Sequence, residues 1–440
     1  MTEQAPGQDD SSESRYGLVL ICVTAAIAGV LIGIIGGAFR WCLRVADGMR
    51  VDLVDWAHGL PGPGWLIPIA VGALGATLAA LIVRWMPLAA GSGIQHVEAV
   101  HQRLARPAGL WLVPAKFVGG LLAIGSGGVL GREGPTVHMG AAIGAAAAKL
   151  FRLVDPDIRL MQTALGGAGL AVAFNAPIGG ALFALEEVSK SVRFRIVLAT
   201  LTATAVAVGC SRLINGNHPD FSVEHLAAEP ISLLPVFVVF GLLTGILGLL
   251  YNRLVLALLD RAAAMRRVPP IVRAAVVGAL IGLVMFVDPN TVGGGDDLTQ
   301  SLLGGTQFGV TVMAGYLVVR FLAGPLSYST GLPGGLFAPL LAVGALWGMV
   351  CAAGANAVLP GEHPTLAVSM AIIGMGAFFG AVVRAPVTGI VIVIEMTATT
   401  SVAVPMLAAT VAAVLVAELA GGAPIYDSLR ERMLANPRRR

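Results

Sequence analysis

The sequence predicts an all-α, polytopic membrane protein whose helices are tilted and often broken, and three observations lead there. Hydrophobic residues make up 56% of the 440-residue chain and charged ones only 12%, against about 25% charged in a soluble domain. With a mean hydropathy of +0.84, such a chain cannot cover a water-facing surface, so lipid is its solvent. Its 57 glycines suit close packing between membrane helices. Strands are excluded because an open sheet edge cannot sit in lipid and no alternating ten-residue pattern appears.

Residues 1–16 are polar and acidic and read as a disordered tail. The first apolar run, Leu18 to Ile35, is too long for a signal peptide, lacks a small-x-small cleavage site and is followed by many more spans. A helix crosses the bilayer core with about 20 apolar residues. Long runs of that kind lie near 17–38, 65–86, 194–212, 231–258, 271–287 and 401–420. Shorter pieces cut by Gly and Pro lie at 112–130, 135–150, 163–174, 177–188, 311–323, 335–353, 366–383 and 386–396. The transmembrane domain is read as 17–432, with halves of about 17–215 and 230–432. A basic tail, 433–440, ends in Arg438, Arg439 and Arg440, and the positive-inside rule puts it in the cytoplasm. A net charge of +3 is too small to argue for nucleic acid. Cys22, Cys42, Cys210 and Cys351 lie in or beside apolar segments, with neither metal spacing nor a disulfide framework.

Broken helices at membrane depth persist only where they line a cavity, and matching breaks in two halves point to a transport site. This chain has such breaks. Gly131, Pro135, Gly140 and Gly144 match Gly335, Pro339, Gly344 and Gly348 at an offset of 204. Gly167-Ala168, Ala176-Pro177, Gly180 and Glu186 match Gly376-Ala377, Ala385-Pro386, Gly389 and Glu395 at an offset of 209. The five-residue drift reads as a loop difference. Whether the halves run parallel or inverted is open at this level.

Three Gly-rich breaks open into apolar helices: Gly91-Ser92-Gly93-Ile94, Gly131-Arg132-Glu133-Gly134-Pro135 and Gly334-Gly335-Leu336-Phe337-Ala338-Pro339. A helix start offers unpaired N–H groups and a partial positive charge. Several aimed at one point in low dielectric make an anion site, and one without a fixed cation can release its ion. Ser92 adds a hydroxyl donor. Glu133, at the mouth of the second break, is itself an anion mimic that can occupy the site when ionised and leave when protonated; the competing reading is an ion pair with Arg132. Glu186 and Glu187 end an apolar run. Adjacent buried carboxylates resist joint ionisation, which suits a proton acceptor, but spacing alone equally allows the aqueous end of a helix. Tyr426, taken alone, reads as an aromatic-belt anchor, and His138 as a hydrogen-bonded interior histidine. His96 and His101 are poorly spaced for one helical face. No metal site and no organic cofactor are expected. Ser92 between glycines invites comparison with intramembrane proteases, but position 90 is Ala90 and no histidine is obviously placed as its base.

At these residues the chain resembles the CLC family of chloride channels and chloride/proton antiporters. Gly91 to Ile94, Gly131 to Pro135, Phe174-Asn175-Ala176-Pro177, Gly334 to Pro339 and the terminal Pro-x-Tyr at Pro424 to Tyr426 look like family signatures in family order. The resemblance spans residues 17 to 432 and implies two inverted structural repeats, a homodimer with one pore per subunit, and a multi-pass cell-membrane protein with both termini cytoplasmic. It implies bound chloride, with Ser92, Tyr426 and the backbone N–H groups of Leu336 and Phe337 around the central ion. Gly93, Ile94, Glu133 and Gly134 complete the anion-binding set. It also implies Glu133 as external gate and proton carrier and Glu187 as internal proton-transfer acid, which overturns the bland reading of Tyr426. Family members that only conduct chloride usually lack that internal acid, so chloride/proton antiport is the expected activity, with chloride and protons as partners in a lipid bilayer. The alternatives are a passive voltage- or pH-gated chloride channel, an exchanger for fluoride or nitrate, and an intramembrane enzyme. One departure stands out: the family usually has Pro after the first motif, where this chain has Gln95. It also stops soon after Tyr426, without the C-terminal nucleotide-binding domains of many eukaryotic members.

Overall fold

The computed structural model describes residues 9–435 apart from positions 225, 307 and 362, and side chains from residue 17 onward. In chain order the helices of the first half are α1 Asp9–His58, α2 Leu66–Trp85, α3 Ile94–His101, α4 Leu112–Gly125, α5 Glu133–Leu150, α6 Asp155–Phe174, α7 Pro177–Phe183 and α8 Phe194–Asn215. Those of the second are α9 Leu234–Ala264, α10 Pro270–Val287, α11 Asp296–Leu303, α12 Val310–Ser329, α13 Phe337–Asn356, α14 Leu366–Val383, α15 Pro386–Thr397 and α16 Ala403–Leu419, followed by α17 Ile425–Ala435. Eight helical stretches among the described residues are long and apolar enough to cross a membrane. The apolar stretch of α14 is 89% buried and that of α10 only 22%, so α14 runs through the protein interior while α10 lies at its periphery.

Several boundaries differ from the sequence reading. α1 begins at Asp9, inside the segment read as a tail, and runs 50 residues to His58. Once the apolar run has paid for nucleation, polar Ser and Glu residues extend a helix at little cost. Residues 1–8 lie outside the described residues. At the other end α17 continues to Ala435, into the expected basic tail, and residues 436–440 lie outside the described ones. α12, α13 and α14 come from segments read as short, yet each is long enough to cross, whereas α16 has 17 residues.

The repeat is carried in the punctuation. α6 ends at Asn175 with φ 50° and α14 at Arg384 with φ 71°; these positions are mates at the offset of 209. Each is followed by an Ala-Pro pair whose Ala is bent out of the helical region by the next ring and whose Pro sits at the first position of α7 or α15, where a missing N–H is harmless. The five-residue drift falls between α5 and α6, joined by residues 151–154, and α13 and α14, joined by 357–365, nine residues against four.

The halves are inverted. Gly131 and Gly335 form an antiparallel bridge, each N–H donating to the other's carbonyl at 2.8 Å. Two equivalent residues that exchange identical bonds in antiparallel sense lie on a two-fold axis. Within each half the same partners pack: α5 on α6 and α13 on α14, α1 on α8 and α9 on α16. The halves meet where α2 packs on α10 and α7 on α15.

Close crossings depend on glycine. A Cβ on Gly344 would lie 2.4 Å from the Gly374 carbonyl oxygen, and one on Gly374 only 2.2 Å from that of Gly344. Gly344→Ala should therefore force α13 and α14 apart and destabilise the fold by about 2 kcal/mol. A thermal unfolding midpoint in detergent equal to that of the parent chain would show that the crossing tolerates the methyl group.

Candidate functional site

A helix that begins inside a membrane needs acceptors for its first N–H groups, and three such beginnings meet here. The turn before α3 joins the turn before α13: Gly91 N–H donates to the Gly331 carbonyl and Gly334 N–H to that of Gly91, both at 3.2 Å. The turn before α5 joins the same place through the Gly131–Gly335 bridge. Gly91 and Gly93 have φ of 63° and 94°, backbone that only glycine adopts readily. At Gly131 and Gly335 the constraint is space, since a Cβ would stand 2.1 and 2.5 Å from Glu133 Oε1.

Glu133 is fully buried. Its Oε1 accepts the Phe337 N–H, the first amide of α13, at 2.6 Å, and the amides of Ala338 and of Glu133 itself also act on the carboxylate. Its Oε2 has no hydrogen-bond partner among the described residues. Arg132 is not its ion-pair partner. That guanidinium donates to the Ala173 carbonyl at 2.9 Å, to Asp296 at 3.2 Å and to Asp220 at 3.4 Å, while Asp220 also holds Arg40 at 2.5 Å. The acid pair draws Arg132 away and leaves the carboxylate on the helix terminus, where a negative charge is favoured.

Ser92 and Tyr426 are both fully buried, and neither hydroxyl oxygen has a partner among the described residues. Buried hydroxyls are almost always bonded, and an orphan costs about 1–3 kcal/mol, so these two donors fit a ligand. Ser92 also has no imidazole on its oxygen. Gly134 lies against it, with a Cβ there falling 2.6 Å from Ser92 Oγ. α17 docks on α3, bringing Tyr426 from the far end of the sequence to the site. Its burial rules out the aromatic-belt reading, and the charges of Glu133 and Glu187 both act on its hydroxyl. Gly93 is the N-cap of α3 and Ile94 its first residue; Leu336 is the N-cap of α13.

The structure separates the adjacent glutamates. Both sit in a π-helical turn, Ala184–Ser189, that continues α7; such turns break the usual facing of neighbours and recur at functional sites. Glu186 accepts the N–H groups of Val387 and Thr388 at 3.1 and 2.7 Å. Its repeat mate Glu395 accepts those of Ile178 and Gly179 at the same 3.1 and 2.7 Å. Glu186 is therefore a helix cap across the two-fold axis. Glu187 is 3% exposed with an unpartnered Oε1. The charges of Glu98, Lys190 and Asp427 act on it, and those three residues belong to a chain of ion pairs, Glu98–Arg430 at 2.8 Å, Arg430–Asp427 at 2.7 Å and Lys190–Asp427 at 3.2 Å, that runs from buried Glu98 to half-exposed Lys190.

His138 Nε2 and His96 Nδ1 are 3.0 Å apart, both buried, so these two are interior hydrogen-bonded histidines, and half-buried His101 bonds Thr163 at 2.8 Å. Lys116 escaped the sequence reading. Fully buried, it donates to the carbonyls of Gly91 at 2.6 Å and Ser92 at 3.0 Å and so pins the first break. A lone lysine in the apolar run 112–125 was the available signal.

Known proteins share this architecture. Residues 74–418 match the family model described as voltage gated chloride channel. The chain is 36% identical over 431 residues to the H(+)/Cl(-) exchange transporter ClcA of Vibrio parahaemolyticus, covering 96% of this chain and 91% of that protein. It is also 36% identical over 427 residues to ClcA of Citrobacter koseri, covering 94% and 89%. Among solved structures it is similar to a slow cyanobacterial Cl-/H+ antiporter, with a TM-score of 0.89 and 30% identity over 96% of this chain and 99% of that one. A CLC-type fluoride/proton antiporter shares the fold at a TM-score of 0.74 and 21% identity, over 93% of this chain and 97% of that one.

Removing the Glu186 cap leaves two amides of α15 without acceptors. Glu186→Ala should destabilise the protein by about 1–3 kcal/mol and lower its unfolding midpoint more than Glu187→Gln does. Equal midpoints for the two variants would show that the cap carries no weight.

Proposed function

Because the chain belongs to the voltage-gated chloride channel family, we propose that it is a multi-pass membrane protein that exchanges chloride for protons, with Glu133 as gate and proton carrier and Glu187 as internal proton-transfer acid. The observation that carries this reading is the Glu133 carboxylate on the first amide of α13, beside two buried hydroxyls that lack partners. An ionised Glu133 competes with chloride for those donors. Protonation removes the charge that holds it on the Phe337 N–H, so the side chain leaves and chloride takes its place. Ser92, Tyr426 and the start of α13, with Leu336 and Phe337, then hold the central ion, and Gly93, Ile94 and Gly134 line its path. Glu187, a second buried carboxylate whose charge acts on Tyr426, passes the proton to or from the opposite face. No cofactor is needed; the bound species are chloride ions.

Both termini belong on the cytoplasmic face. A Cβ at Gly17 would lie 3.8 Å from the Arg195 guanidinium, and Lys190 pairs with Asp427 of α17, so the first described side chains of α1 and the last helix share a face rich in Lys and Arg. The homodimer of the family, with one pore per subunit, is part of the same reading.

Liposome reconstitution tests it. A chloride gradient should drive protons uphill. Glu187→Gln should keep chloride flux and lose proton movement, and coupling retained in that variant would remove Glu187 from the path. Glu133→Gln, a fixed imitation of the protonated gate, should give uncoupled chloride flux that no longer varies with pH. Chloride flux without protons in the parent chain would make it a passive channel, and flux of fluoride or nitrate in place of chloride would make it an exchanger for that ion. No anion flux from folded protein would reopen the enzyme reading of Ser92.

A further inference from the structure

We propose that Gln95 is an anion-selecting donor at the inner mouth of the pathway, the step between the bulk cavity and Ser92; the proposal rests on the transport reading above. Gln95 is the second residue of α3. Its Oε1 accepts the Gly93 N–H at 3.2 Å, which withdraws that backbone donor from any ion. The other end of the carboxamide is turned the opposite way: Nε2 stands 3.6 Å from where a Gly91 Cβ would be. The side chain is 9% exposed, and Nε2 makes no hydrogen bond among the described residues.

That amide faces a destination. Gln95 lines a cavity of about 740 Å³ together with Gly91, Tyr328 and Gly331. Farther out the cavity is bounded by Arg84, Arg273 and Arg432 and by the α17 residues Leu429 and Met433, so it opens on the face that carries the C-terminal helix. Arg432 is held by Asp260 at 2.7 Å, and Arg273 donates to the Ala262 carbonyl. Arg84 is exposed and makes no ion pair among the described residues. No carboxylate lines the cavity among the described residues. Cations on low-dielectric walls gather small anions, and beside Gly91 such an ion meets two neutral donor groups, the Tyr328 hydroxyl and Gln95 Nε2, 3.5 and 3.6 Å from where a Gly91 Cβ would be.

The chemistry suits a small monovalent anion. The carboxamide offers two N–H donors and no net charge, so it can bind a halide without trapping it. A fixed backbone N–H is exchanged for a donor on a side chain that can swing with the ion. A proline at this position would supply neither the cap on Gly93 nor the donor.

The test compares the parent chain with Gln95→Met, which keeps the length and removes the donor, and with Gln95→Glu, which keeps an acceptor for Gly93 and replaces the donor by an acceptor. Half-saturating chloride is measured from flux in liposomes, and bromide is located by anomalous scattering in crystals. We expect bromide within hydrogen-bond reach of Nε2 in the parent chain and none in Gln95→Met. Half-saturating chloride should rise about fivefold in Gln95→Met, the size of one neutral hydrogen bond, and further in Gln95→Glu. If Gln95→Met fails to fold, the Gln95→Glu affinity decides alone. Unchanged chloride affinity in the folded variants, or bromide absent from Gln95 in the parent chain, overturns the proposal. A parent chain that moves no chloride overturns the transport reading instead, so the two failures are distinct.

Discussion

A backbone amide at membrane depth has no water to turn to, and a helix that starts there leaves several amides short of partners. In this protein the shortage is met by the other half of the chain. Gly131 and Gly335 exchange two hydrogen bonds across the two-fold axis, Gly91 bonds the Gly331–Gly334 turn, and Lys116 fastens the Gly91 and Ser92 carbonyls. These bonds bring three helix starts face to face and leave the remaining N–H groups aimed inward. Everything proposed for the site follows from that arrangement, because a glutamate at the mouth of one start reaches the first amide of another.

The same two-fold logic divides labour between neighbours in sequence. Glu186 and Glu395 each cap the helix opposite, so those carboxylates are spent on structure. Glu187, one residue on, keeps an unpartnered oxygen inside the protein. Arg132 and Glu133 separate in the same manner. The arginine is drawn to Asp220 and Asp296, and the glutamate stays on the α13 terminus. In both pairs a single peptide unit parts a charge held in structural bonds from a carboxylate that keeps an unpartnered oxygen.

Much of this was legible in the residues. The offsets of 204 and 209 exposed the repeat, and the Gly-Pro breaks located the helix starts, because glycine and proline act on the backbone locally. What stayed hidden depends on contacts distant in sequence. Tyr426 alone looks like an interfacial anchor, since nothing near it says that α17 docks on α3. Spacing could not sort Glu186 from Glu187, because a π-helical turn changes which way neighbours face and leaves no mark in composition. The inverted sense of the halves needed the antiparallel bridge. α1 overran its apolar stretch at both ends, where polar residues follow a helix already formed.

The reciprocal caps have a mechanical corollary. Glu186 and Glu395 tie α15 and α7 to one another's halves through paired amide bonds, and the glycine bridge adds two more on the axis itself. Rocking one half against the other, a common way for transporters with internal repeats to alternate access, would break all of these together, at about 1–3 kcal/mol for each buried group left bare. A clamped frame of this kind favours a cycle run by the swing of individual side chains. Its moving parts then weigh as little as one carboxylate, while the scaffold around them stays still.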